Sequence, residues 1–456
     1  MLKIRRPRKE YNHNEILNFV RSHEIGMHRE LVLEAYYKGN NAINKTIKAE
    51  GKANHKVAHP FAHQIVSTMV GYFASEPVQF DMPNEQIKEE IDSFLKYNDF
   101  DRIFTRTITD SCVYGVGAMM LFLDGEGKIR FANTDVKELI VIVDNTVLEE
   151  VHTVIRHWQC ENNDGIITRY IEVYDKEKVR KFYMEDKEVA TESVEPHYFG
   201  DVPFSFFYLN AEQMGIFERV IPLIDAYDTL ESETLNLASD LSDAILLVAG
   251  CELGDDEIGM INEMRLLNVP DTSESNVVVE YVTKDGDNNE STKQRLRDDI
   301  YSLSMVSDVN AKDFGQALSG SALKLRLSSQ EFLASVLEGY TKLGLRRLIE
   351  LYCNVSSLTG GINMDVISEM NIRLTRNTVS NENEQIQQAL QLSTLLSKET
   401  VISLLQGFVP DVKTELERLN EEREEAQSFM DGMDEEEHIG NEPKDEEEES
   451  KEKEDD

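Results

Sequence analysis

From Val220 to Val248 the chain places an apolar or small residue every three or four positions: Val220, Leu223, Tyr227, Leu230, Thr234, Leu237, Leu241, Ala244 and Val248. Steps of three and four keep side chains on one stripe of an α-helix. Residues 216–249 contain no internal glycine, and Pro222 lies in the first turns, where its missing N–H is tolerated. The spacing predicts one helix over 216–249, about 50 Å long. A helix with such a seam packs along its whole length. The opposite face carries Asp225, Asp228, Ser232, Asn236, Asp240 and Asp243 at helical spacing, and by itself it reads as a solvated side.

A second long helix is expected from Ser321 to about Tyr352, with Leu337, Tyr340, Gly344, Leu348 and Leu351 on one stripe. A single subunit can hardly bury two seams of this length, so the pair points to a closed oligomer. The 456 residues are 40% hydrophobic, enough for real cores and too apolar for a wholly disordered chain. The length allows about three domains or one large composite subunit.

Net charge is −39, unevenly spread. Residues 421–456 hold nineteen acidic and four basic side chains, whereas residues 1–60 hold twelve basic and six acidic ones. A body this acidic does not wrap duplex DNA on its outside, because phosphate binding needs Lys and Arg to displace counterions. An acidic surface facing DNA would instead keep the polymer from sticking. Cys112, Cys160, Cys251 and Cys353 lie far apart with no CxxC pair, which fits reduced thiols. The basic first ten residues lack the apolar stretch of a signal peptide, and the longest apolar run, Ala244–Cys251, is far below the roughly 20 residues of a membrane span. These features predict a soluble, intracellular protein.

Along the chain, residues 12–50 and 61–74 read as helical, and an amphipathic helix begins near 84 and runs into the apolar 115–123. Strand-like runs follow at 118–123, 128–132, 139–143, 151–159, 166–174 and 179–184, with the turn Asp124–Gly127 after the first; they predict an antiparallel meander. Residues 250–290 read as a small, partly stranded unit with a strand near 276–282. Residues 291–307 return to helix, and 308–320 form a loop with glycines at 315 and 320. Met370–Arg376 is one more strand. Helices are expected at 381–396, 398–406 and 411–425, and the acidic remainder should stay disordered.

No catalytic constellation emerges. The chain has no GxxxxGK[ST] phosphate loop, no HExxH and no GxSxG. Gly115-Val-Gly117 and Gly125-Glu-Gly127 read as turns in the meander, and Asp285–Glu290 lacks the sixth-position glycine and twelfth-position Glu of a calcium loop. His55, His59 and His63 fall four apart, but two helical turns converge three imidazoles poorly on one metal, so they read as polar surface residues. No enzyme, metal or cofactor is expected.

Several segments in order resemble the portal proteins of tailed double-stranded DNA bacteriophages, of the siphovirus branch. They are Ala35-Tyr-Tyr-Lys-Gly39, the helix and exit over 62–78, Gly200-Asp-Val-Pro-Phe204 with Asn210 before Gly215–Asp228, Ser319-Gly-Ser-Ala-Leu323, and Ile372–Asn377 followed by a Glu/Gln-rich helix and Ser397-Lys-Glu-Thr400. Each is weak alone; order and spacing make the set specific over roughly 15–425. The resemblance implies a mixed α+β portal fold, assembled as a dodecameric ring. It implies an N-terminal arm and α/β wing over 1–215, stem helices at 216–249 and 291–307, and a small α/β clip at 250–290. A tunnel loop at 308–319, a long helix and return to the wing over 320–380, and a helical crown at 381–425 complete the subunit, with a disordered acidic tail at 426–456.

The ring would sit at a unique capsid vertex of the virion after assembly in the host bacterial cytoplasm. Implied partners are the large terminase subunit, a head-completion or tail connector protein, major capsid and scaffolding proteins, and double-stranded DNA passing without sequence specificity. Asn310, Lys312, Asp313 and Gln316 would belong to the tunnel loop, and Asp228, Asp240 and Asp243 become candidates for lining the channel. Two other classes fit the sequence less well. A terminase would need the missing nucleotide loop, and an acidic scaffolding protein without a channel would lack the β-rich 118–184.

Overall fold

The computed structural model describes residues 1–48, 53–82, 84–161, 165, 167–185, 188–242, 246–249, 266–269, 278–281, 289–310, 324–358, 360–362, 366–377, 389–404, 412 and 414–423. They belong to two units, Met1–Thr378 and Val379–Asp456. The first opens with strand β1 (Leu2–Arg5) and helices α1 (His13–Gly26) and α2 (His28–Tyr37). Asn12 and Glu15 cap α1 reciprocally: Glu15 N donates to Asn12 Oδ1 and Asn12 N to Glu15 Oε2, both at 3.0 Å. The helix expected over 12–50 is thus two helices, and it stops at Tyr37, where Lys38 and Gly39 return their N–H groups to Glu34 O and Tyr36 O. Residues 53–60 are extended chain without regular structure.

Then come α3 (Phe61–Phe73), β2 (Gln79–Asp81), α4 (Glu85–Tyr97), α5 (Phe100–Tyr114), β3 (Val116–Leu123), β4 (Ile129–Thr134), β5 (Leu139–Val143), β6 (Val151–Glu161), β7 (Ile167–Tyr174), β8 (Lys178–Glu185), β9 (Glu188–Pro196) and β10 (Phe204–Tyr208). Strands β5 to β8 form the expected antiparallel meander, β9 extends it by a strand that the sequence reading does not place, and β1 adds to β5 in parallel. The β3–β4 hairpin does not join it. β3 pairs with β10 as well, giving a separate three-stranded sheet. Strand β5 is buried at all five positions because both faces of the larger sheet are covered. Ile140 and Ile142 face a cluster with Ile16 and Val20 of α1, while Leu139, Val141 and Val143 face the main core.

Between α1 and β6 two buried histidines meet, with His23 Nδ1 2.7 Å from His157 Nε2. One ring has to donate and the other accept, so the two cannot both be protonated, and burial disfavours the charge on either. Burial pushes His23 down to about 3, helped by the positive N-terminus and His157, and pushes His157 down to about 4, helped by Arg169. Both native values lie below those of the unfolded chain, so protons bind the unfolded state first as pH falls. The pair's contribution is complete above about pH 6.5 and erodes below it. Denaturant unfolding at pH 7.5 and 5.0 is expected to show a loss that is larger in the wild type than in a His23→Phe, His157→Phe protein by about 2 kcal/mol per histidine. An equal loss in the variant would contradict this account.

The chain continues with α6 (Ile221–Ser242), β11 (Leu246–Ala249), β12 (Leu266–Val269), β13 (Val278–Tyr281), α7 (Asn289–Ser304), α8 (Ser328–Leu358), α9 (Val366–Glu369) and β14 (Asn371–Arg373). Helix α6 is shorter than its seam predicts, spanning 22 residues or about 33 Å. Leu246–Ala249 pairs in parallel with β12 and antiparallel with β13, so the end of the seam is a central strand. A continuous apolar run fits either assignment, and pairing on both sides decides it. The strand expected at 276–282 is β13; the remainder of 250–288 lies outside the described residues apart from β12. Helix α8 ends later than predicted and is preceded by helical residues 324–326 and a turn at Leu327, and its stripe holds: Leu337, Gly344, Leu348 and Leu351 are buried. β14 pairs antiparallel with β2.

In the second unit, α10 (Lys398–Leu404) begins where expected, with Thr400 N donating to Ser397 Oγ at 3.3 Å. Of the helices expected at 381–396 and 411–425, helical residues are described at 389–392, 412 and 414–423. The tail at 426–456 lies outside the described residues.

Candidate functional site: the polar face of the long helix

The start of α6 is fixed by a backbone crossing. Gly115 caps α5 at φ +85°, and a Cβ there would stand 2.1 Å from Gln213 O. A Cβ on Gly215 would stand 2.2 Å from Val113 O. Two strands of backbone pass this closely only where both carry glycine. Ile216 N donates to Cys112 O at 2.8 Å and Leu209 N to Gly115 O at 3.0 Å. The Gly115 and Gly117 read from sequence as turns in a meander are therefore a helix cap and a close approach to α5. Arg29 locks the crossing from the side. Its guanidinium donates to both Glu218 carboxylate oxygens at 2.6 and 2.7 Å and to Gln213 O at 2.9 Å, while Gly215 N donates to Glu218 Oε2.

Past this clamp, α6 buries a stripe at steps of four: Val220, Ile224, Asp228, Ser232 and Asn236. The first two residues enter the core. The last three bind the backbone of residues 53–60, which run antiparallel along the helix as a strap. His59 N donates to Asp228 Oδ1 at 2.9 Å, Val57 N to Ser232 Oγ at 3.0 Å and His55 N to Asn236 Oδ1 at 2.6 Å. The match is geometric. Four helical residues rise about 6 Å, and alternate N–H groups of an extended chain are about 6.6 Å apart. Asp228 is fully buried and also accepts from Asn41 Nδ2 at 2.5 Å, with His59 Nδ1 at 3.0 Å. Tyr36 takes the next carboxylate, its hydroxyl donating to Asp225 Oδ1 at 2.5 Å.

This overturns the solvated reading at Asp228, Ser232 and Asn236: the Asp228 carboxylate is buried and is taken up by donors of its own subunit. Asp240 lies within α6, and Asp243 lies outside the described residues. The apolar seam is conversely only half-covered at Leu223, Tyr227, Leu230, Thr234 and Leu237. Helix α7 lies beside α6, held by Lys293 Nζ at 2.6 Å from Glu231 and by an edge-on run of rings, Tyr227–Phe61–Tyr301. Arg297 and Asp308, 2.7 Å apart, close the end of α7. Asn310 is exposed beyond it, its N–H donating to Asp308 Oδ1 at 3.0 Å. Lys312, Asp313 and Gln316 lie outside the described residues.

The three histidines do not share a helical face. His55 and His59 are on the strap, with His55 Nε2 2.7 Å from Ser239 Oγ, and His63 on α3 has Nδ1 2.8 Å from Ser67 Oγ. The surface reading holds for His55 and His63, which are exposed; what the sequence does not single out is that His55 and His59 give their backbone N–H groups to α6 and that Asn41 joins them at Asp228. The available signal was the repeat of Asp, Ser and Asn at steps of four. Among the described residues no cluster of His, Cys, Asp and Glu could hold a metal ion, and no helix is long and apolar enough to cross a membrane.

A family model described as phage portal protein, SPP1 Gp6-like, matches residues 26–428. The chain is similar to the portal protein of Bacillus phage SPP1, at 23% identity over 437 residues, covering 91% of this chain and 84% of the relative. It is similar to the portal protein of Clostridium phage phiCD119, at 22% identity over 390 residues, covering 78% of this chain and 84% of that one.

Proposed function

The chain belongs to the SPP1 Gp6-like phage portal protein family, and from that membership we propose that twelve copies close into a ring at one capsid vertex, through which viral DNA is packaged and later released. The observation that carries this reading is the extent of the match, residues 26–428, which takes in strands β2 to β14, helices α6 and α7 and the long helix α8. Portal proteins are ring-forming structural components of the virion, and the role assigned here is a channel without catalysis.

In this reading residues 1–215 form the wing, α6 and α7 the stem, and 381–425 the crown. The clip begins at Leu246, earlier than 250, because β11 is the central strand of its sheet. The clip is the docking point for the large terminase subunit and later for the head-completion or tail connector protein, while capsid and scaffolding proteins meet the ring's periphery. Assembly takes place in the host bacterial cytoplasm. Asp240 and Asp243, which follow the strap's last contact at Ser239, remain the carboxylates we assign to the channel. Rings of such carboxylates repel phosphate and keep the duplex sliding.

Residues 308–319, with Asn310, Lys312, Asp313 and Gln316, form the loop at the narrowest point. Deleting Lys312–Gln316, or making Gly315→Pro, is expected to leave ring assembly intact while DNA filling in an in vitro packaging assay drops severely. Normal filling would make the loop a simple connector.

A further inference from the structure

Helix α8 is apolar on two sides, and the subunit buries one of them. Ala334, Leu337, Leu345 and Leu348 are fully buried. Turned away from them, Phe332, Val336, Gly339 and Leu343 follow at steps of four, three and four, and Leu325 lies ahead of α8, before the turn at Leu327. Leu325 is 76% exposed, Phe332 66%, Val336 49% and Leu343 62%. At Gly339 a side chain would meet nothing within 4 Å, so the middle of the stripe is open to close approach by another backbone. Beside Leu343 a groove of about 570 Å³ runs between α8 and β10, floored by Phe206, Tyr208 and Tyr340. A helix apolar on opposite faces is built to be enclosed on both.

We infer that this outer stripe of α8 is where the neighbouring copy of the chain seats in the assembled ring. The inference rests on the portal reading, and it goes beyond that reading in naming the surface. A closed ring of more than two copies joins two different patches of each subunit, so every subunit exposes apolar surface that its own fold cannot cover. The stripe is the longest such feature along one described helix. Its flanks do not suit DNA: Glu331 and Glu338 are held by Arg376, and Lys342 is held by Glu338. Leu, Phe and Val offer a phosphate nothing to bond. Because the contact is between unlike patches, the stripe meets a different surface of its neighbour, not another copy of itself.

Two full-length variants test this. In Phe332→Asp, Leu343→Asp the altered side chains are exposed in the subunit, so its melting temperature should hold while association weakens at least about thirtyfold, leaving monomers where the wild type is assembled. Placing the photocrosslinker p-benzoylphenylalanine at Phe332 should give a ladder of dimers, trimers and larger species, since unlike patches propagate around a ring. A ladder that stops at dimer, crosslinking confined to one chain, or no crosslink would each overturn the inference. So would wild-type assembly by the double variant; if that variant fails to fold, the crosslink decides alone. A wild-type protein that stays monomeric would instead contradict the portal reading itself.

Discussion

Replacing Gly115 with alanine is expected to destabilise the subunit by roughly 4 kcal/mol, enough to abolish soluble expression or nearly so. Two costs combine. The φ of +85° disfavours any Cβ by about 1–3 kcal/mol. The new methyl would stand 2.1 Å from Gln213 O, and relieving that overlap costs about another 1–3 kcal/mol. Backbone movement offers little relief, because Gln213 O also accepts from Arg29, whose guanidinium is held by Glu218. Gly125→Ala is the control: it lies in an open turn with nothing within 4 Å and should be nearly neutral. A Gly115→Ala protein within 1 kcal/mol of wild type in urea unfolding would show that the crossing of α5 by the lead-in to α6 is looser than described.

Asp228→Ala is expected to cost about 3 kcal/mol, and the size of the loss is diagnostic. A carboxylate lining a channel sits in water, and its removal changes subunit stability by under about 0.5 kcal/mol. The buried carboxylate of Asp228 instead pairs His59 N, the His59 ring and Asn41 Nδ2, and its loss takes the acceptor from His59 N and from one hydrogen of the buried Asn41 amide. Asp228→Asn keeps one acceptor but turns an amide toward Asn41 Nδ2, so it should fall between alanine and wild type. Ser232→Ala and Asn236→Ala each remove one strap contact and should cost about 1 kcal/mol, with coupling among the three sites. Stability unchanged in Asp228→Ala, measured by denaturant unfolding of the full chain, would return this residue to the solvated face.

The polar face of α6 marks the limit of what a sequence can say here. Helical spacing put Asp228, Ser232 and Asn236 on one side correctly. It could not distinguish water, a channel or a backbone as their partner, because the donors at His55, Val57 and His59 lie some 170–180 residues away in the chain. Local signals were read well where they were strong. Strands β5 to β8 alternate or run apolar between polar turns, and α8 repeats its stripe over many turns. Strands β1 and β10 escape a sequence reading because a four- or five-residue run declares itself only through its partner, β5 for one and β3 for the other, and β9 escapes it because its Glu-rich run shows its strand character only in pairing with β8. The end of α6 was misread for the same reason: Leu246–Ala249 continues a helical seam in sequence, and only β12 and β13 on either side make it a strand. The glycines at 115 and 215 are separated by a hundred residues, and nothing in either local motif announces that they meet.

The portal account stands or falls most directly on what the purified full-length chain looks like. Negative-stain microscopy paired with light scattering should show gear-shaped rings with a central hole and a mass many times the 52.2 kDa of the chain. A protein that remains a 52.2 kDa monomer across buffers, or assembles into particles with no central hole, would contradict it.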